Sequence, residues 1–276
     1  MTDRGFLTTG YGSDRSTTEA AIDLRLYTPE FSVIAESDDF IVVDKPAHLI
    51  VHPTNPGHPP TLWDGLNALL VYELATGGQL SIITRLDRET SGLVLVAKHR
   101  EAAREFNLSM QRGEFEKEYQ AIVWGWPEAD AFTIDEPLLR RGEVEPSEIW
   151  VKQKVHPDGK PCRTEFEVAR RFEGAGRDGR TERFSLLTCR PKSGRMHQIR
   201  AHLNHAGFPL VGDKLYGPDE TCYLDFIETG WTSELAGRLL LDRQALHASR
   251  LVWRDHDWRC PLAPELARFV DRRGDP

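Results

Sequence analysis

Leu93-Val94-Leu95-Val96-Ala97 is the stretch that most limits what this chain can become. A continuous apolar run rich in β-branched residues has no polar face to offer water. It reads as a buried strand, so the fold must cover both of its sides. The run is far shorter than the ~20 residues a membrane-crossing helix needs. The start, MTDRGFLTTGYGS, has no apolar core of a secretory leader. These features lead to the expectation of a globular, cytoplasmic protein without membrane contact. Its 276 residues suffice for one large domain or two small ones, with a core that needs no covalent staples. Cys162, Cys189, Cys222 and Cys260 form no CxxC pair. Zinc-ribbon and thioredoxin-like readings therefore fail, and buried free thiols are expected.

Around that strand the pattern is mixed. Residues 1–30 are polar and aperiodic and read as an arm. Phe40–Asp44 is a strand stopped by Lys45-Pro46, and 52–60 is a proline-rich loop. Thr61–Thr76 has helical spacing, with Leu62, Leu66, Leu69, Leu70 and Leu74 on one side and Gly77-Gly78 as its end. Lys98–Arg112 is a second helix, marked by Ala102, Ala103, Phe106 and Met110. Strands follow at Tyr119–Trp124, Thr164–Phe172, Phe184–Cys189 and Leu246–Trp253. A short helix at His197–Ala206 ends at Gly207, and Pro264–Val270 closes the chain as a helix. No regular βαβ alternation is present, so an α+β fold with a mixed, largely antiparallel sheet and flanking helices is expected.

Two motifs mislead. Gly174-Ala175-Gly176-Arg177-Asp178-Gly179 satisfies GxGxxG, but a dinucleotide loop must open a helix. Here Arg183–Cys189 alternates as a strand, so the glycines read as a hairpin turn. His197, His202 and His205 lack the i, i+4 spacing of a helical zinc motif; packing, phosphate contact or solvation is expected of them, and no metal site.

Net charge is −8, which by itself disfavours a polyanionic partner. The acids are concentrated, however: residues 1–40 hold eight acids and three bases, 128–148 seven and two, 219–234 five and none. The stretch 190–216 is basic, with Arg190, Lys192, Arg195, Arg200 and Lys214 against Asp213 alone. A locally basic face on an acidic protein can still receive a polyanion.

The densest segment is Arg85-Leu86-Asp87-Arg88-Glu89-Thr90-Ser91-Gly92, which runs straight into the buried strand. Alone, it could be a salt-bridged turn. A carboxylate ringed by guanidinium groups stays ionised, which suits a nucleophile or a base and not a general acid.

RLDRETSGLVLVAK resembles the catalytic motif of the RluA/RsuA-type pseudouridine synthases. Four further blocks of that family appear in order: residues 39–46 with His52-Pro53, residues 117–125 (KEYQAIVWG), residues 193–217, and Leu246–Leu251. The similarity covers about residues 36–270 and is closest to the RluA-like branch. It divides the chain into an extension, 1–35, and a catalytic domain, 36–276, with a central RNA-binding cleft. The extension is too short for the S4 RNA-binding module that many relatives carry. Thr84 stands where the family usually has His before the RLD, so the backbone of the flipped nucleotide would be held differently.

The resemblance implies an isomerase that converts uridine to pseudouridine in structured RNA, an rRNA or tRNA stem-loop. It implies no DNA partner and no cofactor or metal, and a monomer is expected. Asp87 would be the catalytic carboxylate. Three routes are open to it: addition to C1′, addition to C6, or removal of the 2′ proton. Tyr119 would stack on the uracil near C5, where a proton leaves, and Arg200 would pair with Asp87. Arg85 and Arg195 would contact phosphates or the displaced nucleotide. Arg88 would join them at the centre of the groove, with Arg190 and Lys192 at its rim; His197 and Ile199 would complete the RNA surface, Ile199 against the base edge. Two rivals are a catalytically silent RNA-binding protein and a carboxylate-dependent glycosidase, which would need a second acid beside Asp87.

Overall fold

The computed structural model describes residues 30–53, 59–219 and 221–274. Residues 1–29, most of the expected arm, and 54–58 of the proline-rich loop lie outside the described residues. In chain order the elements are β1 (Ser32–Glu36), β2 (Phe40–Lys45), α1 (Leu62–Leu69), α2 (Val71–Ala75), β3 (Ser81–Ile82), β4 (Ser91–Ala97) and α3 (Arg100–Gln111). Then come β5 (Phe115–Trp124), β6 (Ala131–Asp135), β7 (Leu138–Arg140), β8 (Gln153–Val155), β9 (Arg163–Ala175), β10 (Thr181–Pro191) and α4 (Gln198–His205). The chain closes with α5 (Thr221–Thr229), α6 (Ser233–Leu239), β11 (Leu246–Trp253), β12 (His256–Arg259) and α7 (Pro264–Gly274).

All of β4 is buried. Its side chains alternate between two cores, as the two-residue period of a strand demands. Val94 and Val96 join Leu62, Leu66 and Leu70 on one side. Leu93 and Leu95 join Ala102, Ala103 and Phe106 of α3 on the other. Each fully buried aliphatic side chain here contributes roughly 1.5–3 kcal/mol. The main sheet runs β1-β2-β4-β11-β5-β10-β9-β6, with β3 added to β4 and β12 to β11. Its pairings are antiparallel except for β4 with β11, which is parallel. The α+β expectation is met. At the parallel pair Gly92 has φ +109°, and a Cβ there would run into the backbone of Ala248. Only glycine permits that approach.

Several expectations change. Thr61–Thr76 is two helices, broken at Leu70 (φ −103°, ψ 31°). Leu62, Leu66 and Leu70 follow the inward i, i+4 line, while Leu69 lies on the flank and is 47% exposed. Thr61 starts α1 with a capping box to Asp64. The acidic stretch 219–234 holds α5, whose only buried residue is Cys222 and which therefore left little apolar periodicity to read. β1 is hydrogen-bonded to β2 within the sheet, so the boundary after residue 35 falls inside a strand. The glycine-rich segment is the turn between antiparallel β9 and β10, as expected. The four cysteines are free and buried. Among the described residues no helix is long and apolar enough to cross a membrane.

Candidate active site

The buried strand β4 anchors the loop that precedes it, and Thr90 N–H donates to the Asp87 carbonyl (3.1 Å) to close the turn. The Asp87 side chain remains 34% exposed. Arg200 Nη1 donates to its Oδ2 at 2.7 Å, and Gln244 Nε2 donates to the same oxygen at 3.3 Å. Burial raises the Asp87 pKa, but the Arg200 charge and these hydrogen bonds outweigh it, and the carboxyl lies below its ordinary range.

Arg200 sits in the first turn of α4. Its other edge is held by Asp213 in two bonds, Nε to Oδ2 at 2.7 Å and Nη2 to Oδ1 at 2.9 Å. Asp213 is fully buried and also accepts the backbone N–H groups of Leu215 (2.9 Å) and Tyr216 (3.0 Å). One carboxylate thus fixes the guanidinium while a second presents itself to the cleft. The fork of Arg suits this division, which the point charge of Lys would not.

His197 adopts φ +55° at the start of α4, a strained left-handed conformation of the kind held at functional sites. Tyr216 hydroxyl accepts from Gln153 N–H (2.6 Å) and can donate to His197 Nδ1 (3.1 Å). That leaves Nε2 as the protonated nitrogen, 3.9 Å from Asp87 Oδ2. Burial, reinforced by Arg200, pushes the His197 pKa down to about 4, so the ring is neutral at physiological pH.

Tyr119 lies in β5 opposite Ala248 of β11 and Cys189 of β10. Lys117, two residues earlier, shares its face, and both line the cleft with Arg85, Asp87, Arg195, His197, Ile199, Arg200 and Leu246. Burial pushes the Tyr119 phenol up to about 12, with the Asp87 charge adding to the effect. The phenol is therefore protonated at neutral pH. Ile199 and Leu246 supply the apolar part of the floor. The loop carrying Arg195 is fixed by Gln198, whose Oε1 accepts from Ser193 hydroxyl (2.7 Å) and Arg195 N–H (3.1 Å).

Some expected residues stand elsewhere. Arg200 is the cation paired with Asp87; of the two sequence neighbours, both exposed, Arg85 lines the Tyr119 cleft and Arg88 does not. Arg88 Nε donates to His48 carbonyl (3.4 Å), and its side chain lines a second cavity rather than the Tyr119 cleft. Lys192 reaches the cleft's outer edge, but its Nζ lies 2.8 Å from Glu165. Arg190 pairs with Glu118 (3.0 Å) and Glu167 (2.8 Å). Glu89, the second acid a glycosidase would require, is paired with Lys214 at 2.7 Å. Thr84 hydroxyl accepts the Leu95 N–H (2.9 Å). The histidines disperse: His202 is buried between Thr164 hydroxyl and the Glu136 carbonyl, each at 3.0 Å, and His205 is exposed. Among the described residues no group of His, Cys, Asp or Glu is arranged to hold a metal.

Sequence reasoning missed Asp213, Gln244, Tyr216 and Lys117 as site residues. Asp213 left one signal, a lone acid within an otherwise basic and apolar stretch. Gln244 left none, since a glutamine before a strand is ordinary.

Residues 39–205 match a family model described as RNA pseudouridylate synthase. The chain is 33% identical over 278 residues to "Ribosomal large subunit pseudouridine synthase D" of Salmonella typhimurium, covering 94% of this chain and 77% of that protein. It is 39% identical over 213 residues to an "Uncharacterized RNA pseudouridine synthase" of Chloroflexus aurantiacus, covering 75% of this chain but only 56% of the relative. Among solved structures, human RNA Pseudouridylate Synthase Domain Containing 4 superposes with a TM-score of 0.65 at 20% identity, over 87% of this chain and 92% of the other. At that identity the likeness is one of fold.

Proposed function

The chain belongs to the RNA pseudouridylate synthase family, and from that premise we propose that it isomerises uridine to pseudouridine in structured ribosomal RNA, with the sheet from β1 onward as its catalytic domain. One observation carries the assignment of the centre. An ionised, one-third-exposed carboxylate, Asp87, faces a cleft between a protonated tyrosine, apolar side chains and cations that have no carboxylate partner among the described residues.

The reaction breaks the C1′–N1 bond, turns the uracil and rejoins it through C5. Neither atom can be reached inside a stacked helix, so the target must flip out, at a cost of a few kcal/mol. Unpaired loops and bulges meet that cost most readily. In the cleft the uracil stacks on the Tyr119 ring, with Ile199 at its edge. Arg85, Lys117 and Arg195 take the surrounding phosphates.

Asp87 then acts as nucleophile at C1′ or C6, or as base at the 2′ carbon. Each route needs an anion held in one orientation, which the Asp213–Arg200 pair supports. Neutral His197 can offer a proton without adding charge beside Asp87. The Tyr119 hydroxyl has no side-chain partner among the described residues, and we assign it to proton transfer at C5.

Release of tritium from C5-labelled uridine in large-subunit rRNA transcripts tests this reading, followed by mapping of pseudouridines in RNA from cells with and without the gene. No tritium release from any rRNA transcript, and an unchanged map, would overturn it.

A further inference from the structure

A second cavity, of about 430 Å³, lies behind the Asp87 loop. It shares Asp87, His197 and Arg200 with the Tyr119 cleft, so the two adjoin at the catalytic carboxylate. Its outer wall is apolar. Tyr223, Phe226 and Ile227 of α5 line it together with Val151, and Ile227 and Val151 are 64% and 43% exposed. Large exposed aliphatic groups beside a polar active site mark a contact surface.

The charges on this wall say what it contacts. α5 carries no Lys, Arg or His; its Asp225 is paired with Arg238, and its Glu228 would repel phosphate. Two cations lie beside α5 and both are engaged: Arg238 on Asp225 (2.7 Å) and Asp219 (2.9 Å), and Lys214, whose Nζ is bound to Glu89 and lies over the rings of Phe226 (4.7 Å) and Trp231 (5.4 Å). Lys214 is 4% exposed and cannot serve a phosphate. Arg88 also lines the cavity; it is exposed and has no carboxylate partner among the described residues. The wall therefore suits a flat, uncharged, stacking group whose attached phosphate meets Arg88. In an RNA whose uridine already occupies the neighbouring cleft, that group is an adjoining base.

Resting on the pseudouridine synthase reading, the geometry points to a second base subsite: the α5 wall and Val151 receive the unpaired nucleotide next to the target uridine and so help to select the RNA. Pseudouridylation then requires two adjacent bases to leave their stacks, one into each cavity.

The test uses the full chain and a stem-loop carrying the mapped uridine, with each flanking base removed in turn to leave an abasic site. With wild-type enzyme, one of the two abasic RNAs should lower kcat/KM about tenfold, the scale of one lost stacking contact. The Ile227→Ala, Val151→Ala double variant should show that tenfold loss on intact RNA, mainly in KM, and almost no further loss on the same abasic RNA. Both positions are exposed, so an unchanged melting temperature is expected and serves as the folding control. A double variant with wild-type kcat/KM, or losses that simply add, would overturn the subsite while leaving the enzyme reading intact. A wild-type enzyme that releases no tritium from rRNA would overturn both.

Discussion

The basic residues of the cleft floor and those of its rim meet opposite fates. On the rim, Arg190 and Lys192 are neutralised by Glu118, Glu167 and Glu165 on β5 and β9. On the floor, Arg85, Lys117 and Arg195 have no carboxylate partner among the described residues. Strand register makes the difference: β10 lies between β5 and β9, so a cation on its outward face meets glutamates from both neighbours. Lys192, just past the end of β10, still reaches Glu165; by Arg195 the chain has left the sheet, and that cation lines the cleft. An RNA can displace exposed ion pairs at little cost, but it gains the full counterion release only where no internal partner stands.

The contrast breaks first at Asp87. Asp87→Asn should fold and bind RNA within a few-fold of wild type, yet lose at least about a thousandfold in kcat. Near-normal tritium release would remove this carboxylate from the chemistry. Asp213→Asn tests the support beneath it. Losing one partner of a buried charge pair should cost about 3–5 kcal/mol in urea unfolding, together with a large fall in turnover. A variant as stable as wild type would mean that Asp213 does not hold Arg200.

Tyr119→Phe keeps the ring and loses the hydroxyl, so RNA affinity should persist while turnover drops by about 10²-fold or more. Wild-type rates would pass the proton step to another group. Smaller effects separate floor from rim. Lys117→Ala and Arg195→Ala should each reduce the slope of log affinity against log salt by about one, whereas Lys192→Ala and Arg190→Ala should change it by less. Equal slopes for all four in RNA titrations would erase the distinction.

Dependence on pH should be the weakest effect. Asp87 is lowered and remains ionised, while His197 at about 4 and Tyr119 at about 12 do not titrate between pH 5.5 and 8.5. Turnover should be flat across that window, and a limb near pH 6.5 that disappears in His197→Gln would contradict it. Stability follows the same sign. With a folded pKa of about 4 against 6.5 unfolded, the unfolded chain binds more protons in between. The His197 contribution is therefore complete above about pH 6.5 and declines as pH falls toward 4.

Much of the fold was legible in sequence because it rests on periodicity. The apolar run of β4, the alternating strands at 164–172 and 184–189, and the turn glycines between them each state their local structure without help. Asp87, Tyr119 and Arg200 were legible only through the family resemblance of the motifs around them, and the structure brings the three to one cleft. α5 was not legible, since a helix that buries one cysteine writes little hydrophobic pattern. Tertiary structure alone decided which charges meet: Asp213 beneath Arg200, Gln244 against Asp87, Arg88 turned to a second cavity, and Lys192 held by Glu165. Periodicity is a property of neighbours in the chain and can be read along it. The partner of a charge is set by how the folded sheet and its loops are arranged, which brings together residues more than a hundred positions apart, as Asp87 and Gln244 are.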